Sequence, residues 1–160
     1  MLTEEDYREI KGIMQKNVLT MSEDDKVIDA ARLMAKKSIS CVIITKGKKP
    51  IGLLTERDLI KRVIVEGKSA EKLLLKEVMS KPVVTIPPES DFVPAGELMK
   101  RKGVRRFPVV DDNGNLVGLV TQTDILEGII RLVKHLDWKL VTMKISVEEY
   151  IERLKESRII

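Results

Sequence analysis

Residues 118–124, which read Gly-Leu-Val-Thr-Gln-Thr-Asp, decide the fold because residues 52–58 repeat them as Gly-Leu-Leu-Thr-Glu-Arg-Asp. The two stretches lie 66 residues apart (118 minus 52). Nearer the N-terminus, Met-x-Lys-x-Val-x-Thr at 14–20 recurs at 79–85, a spacing of 65. The one extra residue falls in the turn at 111–115, and surface turns tolerate insertions. The chain is therefore predicted to be a duplication of one structural unit.

Each repeat shows the same predicted order of elements: a short extended segment, a helix, two strands joined by a turn, and a second helix. The helices carry apolar residues at spacings of three and four, which places them on one helix face. The Asn113-Gly114 pair indicates a tight hairpin turn in the second repeat. Because a unit of about 50 to 60 residues is marginally stable alone, the repeats are predicted to pack sheet to sheet as one α/β (α+β) module.

The ends fall outside the predicted repeats. The N-terminal helix is expected to place Tyr7, Ile10 and Met14 on one face, and the C-terminal extension is expected to hold a strand over residues 139–145 and a helix that starts with a capping box at residues 146–149. The predicted divisions are an N-terminal helix at 1–13, the first repeat at 14–65, a linker at 66–78, the second repeat at 79–131 and the extension at 132–160.

The composition excludes several classes of function. One cysteine, Cys41, and one histidine, His135, are too few for an internal disulfide or for a zinc site built from Cys and His ligands. We therefore expect no enzyme activity, no metal and no required cofactor. No apolar run reaches the roughly 20 residues of a membrane span, and the scarcity of cysteine indicates a reducing cytoplasm. The net charge of +4 indicates a solvated surface, or alternatively an attraction to phosphates.

The ordered motifs together resemble the CBS domain family over residues 14–131. They are the repeated Met-x-Lys-x-Val-x-Thr, the stretch Gly-Val-Arg-Arg-Phe-Pro-Val-Val-Asp at 103–111, and the repeated Thr-x-x-Asp. The resemblance implies a tandem pair, or Bateman module, in which two β-α-β-β-α units meet about a pseudo-twofold axis and leave two clefts. It also implies binding of adenosine-containing ligands such as AMP, ADP, ATP or S-adenosylmethionine, pairing into homodimers, and regulation of a partner protein.

The Thr-x-x-Asp motif is the candidate ribose and phosphate site of each repeat. A carboxylate at a helix N-terminus, as expected for Asp58 and Asp124, is favoured by the helix dipole and can accept both ribose hydroxyls. The neighbouring threonine hydroxyls and the free N–H groups of the first turn can reach a phosphate. The same pattern also makes a plain helix cap. Its occurrence twice in matched context favours ligand binding.

Two adjacent arginines make the repeats unequal. By resemblance, Arg105 and Arg106 occupy positions that bind ligand phosphates, and at most one should enter a given cleft because neighbouring strand residues point to opposite faces. Ser40 and Cys41 stand at these positions in the first repeat. We therefore expect one cleft to favour a di- or triphosphate and the other a less charged adenosine compound or no ligand, with Arg57 compensating in the first repeat. Cys41 itself is expected to be a small buried strand residue.

The resemblance further places the adenine ring against apolar residues near the start of each repeat and in its last strand. The predicted ligand-binding residues are Val18, Thr20, Ser40, Leu53, Thr55, Arg57, Asp58, Val83, Thr85, Val104, Arg105, Arg106, Leu119, Thr121, Thr123 and Asp124.

Three functional hypotheses remain open from the sequence. The first is a module that senses adenosine nucleotides, with an adenosyl nucleotide as regulatory ligand. The second is an adaptor for protein interaction or dimerisation whose clefts stay empty. The third is weak nucleic-acid binding through residues 100–106, which the aromatic content of 3% disfavours because single-strand binders stack bases on aromatic side chains.

Overall fold

A computed structural model describes residues 8–143 of the chain, and side chains over residues 8–136. The elements of the first repeat are β1 (Thr20–Ser22), α1 (Val27–Lys37), β2 (Cys41–Lys46), β3 (Lys49–Thr55) and α2 (Glu56–Leu59), which continues as a π-helical segment over Ile60–Ile64. The elements that follow are α3 (Leu75–Val78), α4 (Phe92–Lys102), β4 (Arg106–Val110), β5 (Leu116–Thr121) and α5 (Gln122–Met143). Within residues 8–143, no helix has the length and apolarity needed to cross a membrane.

The two repeats build equivalent sheets, which confirms the predicted α+β fold of two tandem units. In the first repeat β2 lies between a parallel β1 and an antiparallel β3. In the second repeat β4 and β5 form the antiparallel pair, and the equivalent of β1 is a single parallel bridge between Ile86 and Val109. The first extended segment of the second repeat is therefore shorter than its counterpart.

Helices α1 and α4 cover the outer sheet faces with the apolar stripe predicted from their spacing. Asp91 caps α4, since its Oδ1 accepts the N–H of Val93 at 2.8 Å, and the helix ends at Gly103 with a φ of +65°. The residues of the stripes that are buried are Val27, Ala30 and Met34 in α1, and Phe92, Ala95 and Met99 in α4.

The segments that precede the two repeats are exchanged between their cores. Ile10 lies in a short 3₁₀ helix, Ile10–Gly12, ahead of the first repeat, yet it is fully buried in the core of the second. Leu75, 65 residues later, lies ahead of the second repeat and is fully buried in the core of the first. The structural equivalence thus starts at Ile10 and Leu75, earlier than the predicted starts at residues 14 and 79.

Backbone hydrogen bonds repeat this exchange. The N–H of Val27, the first residue of α1, donates to the Leu73 carbonyl at 3.0 Å, and the N–H of Phe92, the first residue of α4, donates to the Arg8 carbonyl at 2.9 Å. The first N–H groups of a helix have no partner inside it. Each exchanged segment therefore completes the start of a helix as well as a core.

A second pair of contacts ties each repeat to the last strand of the other. Gln15 pairs with Leu119 through two backbone hydrogen bonds of 2.9 Å, and Ser80 pairs with Leu53 through two of 2.8 and 3.1 Å. Between the sheets lies a small apolar cluster that includes buried Cys41, Ile43 and Leu119. The prediction of Cys41 as a buried strand residue is confirmed.

The glycine of each Gly-Leu-(Leu/Val)-Thr motif makes room for a methionine from the other repeat. A Cβ at Gly118 would lie 2.6 Å from Met14 Sδ and 3.1 Å from the Gln15 carbonyl oxygen. A Cβ at Gly52 would overlap Met79 Sδ. The motif therefore serves the contact between repeats.

Replacing Gly118 by alanine is expected to lower the free energy of unfolding by about 1–3 kcal/mol, because the added methyl group overpacks this contact. Gly96→Ala is the matched control. Its Cβ would lie 3.5 Å from Ile125 in ordinary contact, and alanine in a helix is preferred over glycine by up to about 1 kcal/mol. Urea denaturation measures both variants, and equal midpoints for the two would contradict the assigned contact.

The strand predicted in the C-terminal extension is wrong. Helix α5 runs to Met143, so the strand predicted over residues 139–145 is helical as far as Met143. Its alternating residues also fit the spacing of four from Leu132 through Leu136 to Leu140, and extending an existing helix costs less than starting a new element. His135 accordingly lies within α5. Residues 1–7 and 144–160, with the rest of the predicted terminal helices, lie outside the described residues.

The hairpin predicted at Asn113-Gly114 is confirmed, since β4 and β5 pair antiparallel on either side of this turn. It spans residues 111–115, with Gly114 at a φ of +76°. Asp111 Oδ1 accepts the N–H of Asn115 at 2.8 Å and the N–H of Asn113 at 2.9 Å. These hydrogen bonds close the loop and lower the pKa of Asp111, and the bond from the Asn115 N–H has the largest effect on that pKa.

Candidate functional site

The first cleft, of about 230 Å³, joins the Thr-x-x-Asp corner of the first repeat to strand and loop residues of the second. Its apolar wall includes Val84, which is 37% exposed. The lining residues are Leu53, Thr55, Arg57, Asp58, Ser80, Pro82, Val83, Val84, Gly103, Val104, Arg105, Arg106 and Phe107.

The second cleft is the pseudo-symmetric counterpart and consists of two adjoining depressions of about 290 and 530 Å³. It joins the Thr-x-x-Asp corner of the second repeat to residues of the first. Leu19, which is equivalent to Val84, is 38% exposed here. Its lining residues include Gln15, Val18, Leu19, Ser40, Arg105, Arg106, Leu119, Thr121, Thr123, Asp124 and Glu127.

Each cleft lies between the repeats, as the resemblance implies, and is crossed in that it joins the corner of one repeat to residues of the other. Arg105 and Arg106 line the cleft that holds the corner of Asp58, and Arg57 adds to them instead of compensating elsewhere. The physical cause is the pairing of Gln15 and Ser80 with the opposite repeat, which brings each corner against the other repeat's extended segment.

Both arginines border the first cleft. The Arg106 guanidinium lies at Ser40 on the side of the second cleft, so that at most one arginine enters a given cleft stays a prediction. Strand β4 begins at Arg106, so Arg105 precedes the strand and its direction is not set by strand alternation.

In the first cleft, the carboxylate of Asp58 makes four contacts with three residues. Its Oδ2 accepts the Thr55 N–H at 2.9 Å and the Thr55 hydroxyl at 2.7 Å, which forms a capping box at the start of α2. Its Oδ1 accepts the Ser80 hydroxyl at 3.1 Å and lies 3.5 Å from Arg62 Nη2. Arg62 is held in turn by the Val78 carbonyl at 2.7 Å. The charge of Asp58 is thus already compensated by a neighbouring cation.

In the second cleft, Asp124 has the same cap but no ion pair within the described residues. Its Oδ2 accepts the N–H and the hydroxyl of Thr121, both at 2.7 Å. Among residues 8–136, the other hydrogen-bond donor to its carboxylate is the Gln15 amide, whose Nε2 lies 3.2 Å from Oδ1. The position equivalent to Arg62 is Gly128, where Ile13 and Phe92 occupy the space that a side chain would need. Asp124 therefore offers a more available carboxylate than Asp58.

Of the predicted site residues, only Thr20 and Thr85 line neither cleft. Thr20 lies on the far side of β1, beside residues 45–47, and Thr85 is half-buried next to Ile86. Val18 and Val83, two residues earlier in each case, do line the clefts. Regular strand alternation would place residues i and i+2 on one face, but Val18 and residues 83–85 lie outside the regular strands. Sequence reasoning missed Gln15 and Ser80, although their equivalent positions within the repeated motif are a detectable signal.

Both clefts contain the same kinds of chemical group. Each has an exposed apolar side chain to contact a flat ring, a capped carboxylate to accept sugar hydroxyls, and guanidinium groups to bind a phosphate bidentately. Within residues 8–136, no three His, Cys, Asp or Glu side chains are grouped so as to hold a metal ion. The arrangement suits binding of a nucleotide rather than metal-assisted chemistry.

Comparison with known proteins agrees with this geometry. The family model of the CBS domain matches residues 10–65 and 75–131. An uncharacterized protein of Methanopyrus kandleri is 39% identical over 116 residues, which cover 72% of this chain and 59% of that protein. An inosine-5′-monophosphate dehydrogenase of Korarchaeum cryptofilum is 36% identical over 110 residues, which cover 69% of this chain but only 22% of the enzyme. The chain thus spans only part of these two relatives.

Solved structures show the same architecture. A conserved CBS domain protein of Thermoplasma acidophilum aligns with a TM-score of 0.70 and 28% identity, over 78% of this chain and 74% of that one. The CBS domain pair of protein MJ0100, solved with 5′-methylthioadenosine and S-adenosyl-L-methionine, aligns with a TM-score of 0.67 and 26% identity, over 74% of this chain and 97% of that one. The family model accounts for both repeats and for the segments that they exchange, and the chain belongs to the CBS domain family.

Proposed function

We propose that the chain is a regulatory module that binds adenosine-containing nucleotides in its two crossed clefts and passes the binding signal to a partner protein. The observation that carries this proposal is the occurrence, in each cleft, of a capped carboxylate from one repeat beside strand-start residues from the other. The likeness to a CBS pair solved with S-adenosyl-L-methionine and 5′-methylthioadenosine supports the adenosyl class of ligand. The scarcity of cysteine supports a cytoplasmic setting.

The two clefts are proposed to prefer different ligands. Three arginines line the first cleft, and the carboxylate of Asp58 is already paired with Arg62. This balance favours the phosphates of ADP or ATP. In the second cleft Asp124 and Glu127 offset the arginines at its edge, which favours AMP or an adenosyl compound that carries no phosphate.

Isothermal titration calorimetry tests the proposal with AMP, ADP, ATP, S-adenosylmethionine and adenosine, and with GMP as the control for the base. Binding of at least one adenosine compound, tighter than GMP, is the expected result. Absence of heat for every adenosine compound at millimolar concentration would reject nucleotide sensing and leave the ligand-free adaptor.

The second helices of the two repeats are proposed to form the interface of a homodimer. They expose apolar residues at equivalent positions, which are Ile60 (53% exposed) and Ile64 (69%) in the first repeat, and Leu126 (57%) and Ile130 (45%) in the second. Val133, 50% exposed, extends the stripe of α5. Such a stripe on a helix is normally covered by a second apolar surface.

Ile130→Lys is expected to weaken the dimer by about tenfold or more, since a central apolar residue of an interface contributes over 1 kcal/mol. Val65→Lys is the control, because its counterpart Arg131 already carries a charge at the equivalent position. Sedimentation equilibrium gives both dissociation constants. A wild-type chain that stays monomeric at high concentration, or equal effects of both substitutions, would exclude this interface.

A further inference from the structure

Arg106 lies in the wall that separates the two clefts and lines both of them. Its Nη1 and Nη2 each lie 3.2 Å from the hydroxyl oxygen of Ser40, a residue of the other repeat. The guanidinium therefore sits on the side of the second cleft, while its own strand borders the first. The alternative state is a second side-chain position, in which the guanidinium turns toward the first cleft, which this residue also lines.

The first repeat has no cation at the positions equivalent to Arg105 and Arg106. The counterpart of Arg106 in the first repeat is buried Cys41, and the counterpart of Arg105 is Ser40. Within the described residues, the basic side chains that line the second cleft are Arg105 and Arg106, and both also line the first. Only Arg57 belongs to one cleft alone.

The contact with Ser40 is weak enough to be replaced by a phosphate. A hydroxyl is an uncharged acceptor, whereas a phosphate adds the attraction between opposite charges to the hydrogen bonds with the guanidinium. A phosphate also accepts both guanidinium N–H groups in parallel, which a single hydroxyl oxygen does not. A nucleotide phosphate in either cleft will therefore hold Arg106 on its own side.

We infer that Arg106 is a phosphate-binding group shared between the clefts, so that a phosphate-bearing nucleotide in one cleft weakens the binding of a second in the other. The inference rests on the proposed function. The two side-chain positions of Arg106 are the states that the ligands select, which gives the coupling a physical carrier. An adenosyl ligand without phosphate does not draw on Arg106 and leaves the other cleft unaffected.

The test compares the two binding steps of AMP with those of adenosine by calorimetry on the full chain. For AMP, the second equivalent is expected to bind about fivefold or more weaker than the same cleft binds AMP when the other cleft is impaired by Asp58→Asn or Asp124→Asn, within the usual range of allosteric coupling. For adenosine, the same comparison is expected to show no difference. AMP steps that are independent in the wild type would overturn the inference.

Two variants distinguish the loss of the shared cation from a general loss of affinity for AMP. Arg106→Gln is expected to weaken AMP and to abolish the coupling between steps, whereas Arg57→Gln is expected to weaken AMP in the first cleft and to keep the coupling. Coupling that survives Arg106→Gln, or a single equivalent bound for AMP and for adenosine alike, would overturn the inference and leave nucleotide sensing intact. No binding of any adenosine compound would overturn both.

Discussion

Asp124→Asn is expected to weaken AMP binding in the second cleft by about 10- to 100-fold and to leave the first cleft unchanged. The carboxylate accepts ribose hydroxyls through its charge, and hydrogen bonds to a charged group contribute about 1.5–3 kcal/mol each. The amide oxygen of asparagine still accepts the Thr121 N–H, so the start of α5 is kept. Calorimetric titration with AMP, which resolves two binding steps, measures the change.

The complementary variant is Asp58→Asn, which is expected to affect the other step. Asp24→Asn serves as the control, since that carboxylate pairs with Lys76 away from both clefts. The crossed arrangement adds a sharper condition. Val18→Ala must weaken the same step as Asp124→Asn, and Val83→Ala the same step as Asp58→Asn. Pairing of Val18 with Asp58 instead would contradict the assignment of the clefts.

Ile10→Ala is expected to lower the free energy of unfolding by about 2–5 kcal/mol, the usual cost of truncating a fully buried isoleucine. Ile10 precedes the first repeat but fills the core of the second, beside Phe92 and Leu132. The loss therefore falls on the repeat that is distant in sequence. Urea denaturation gives the value, and hydrogen exchange locates the loosened repeat.

Leu75→Ala is the symmetric counterpart and is expected to cost a similar amount in the first repeat. Val65→Ala, at a side chain that is 73% exposed, is expected to change stability by less than about 0.5 kcal/mol. A cost below about 1 kcal/mol for Ile10→Ala would show that the exchange of segments adds nothing to stability.

The fold was predictable because its signals are local and occur twice. The spacing of apolar residues in α1 and α4 and the β-rich runs at β2 to β5 depend on short stretches of chain, and the second copy checked the first. The C-terminal strand was wrong because the alternation after Lys139 fits more than one local structure, and the preceding helix decided between them.

The candidate site was predictable in its members but not in its grouping. Thr55, Asp58, Thr121 and Asp124 stand out in the sequence because the motif recurs, and the structure places all four at the clefts. Thr20 and Thr85 failed because the side of an extended segment that faces a cleft depends on its register with the neighbouring strand. Gly128 stands at the position equivalent to Arg62, so Asp124 lacks the arginine that pairs with Asp58. This difference could be recognised only once the environment of each carboxylate was known.

By itself, the sequence determined that this protein is a duplication, that each copy carries a Thr-x-x-Asp corner, and that the copies differ where Arg105 and Arg106 face Ser40 and Cys41. The tertiary structure alone decided which corner meets which strand. Periodicity reports the local geometry of a segment, whereas partners far apart in sequence are chosen by packing. Met14 and Met79 each pack against the glycine of the opposite repeat. These contacts bring the corner of one repeat against the extended segment of the other and place Arg106 between the two clefts.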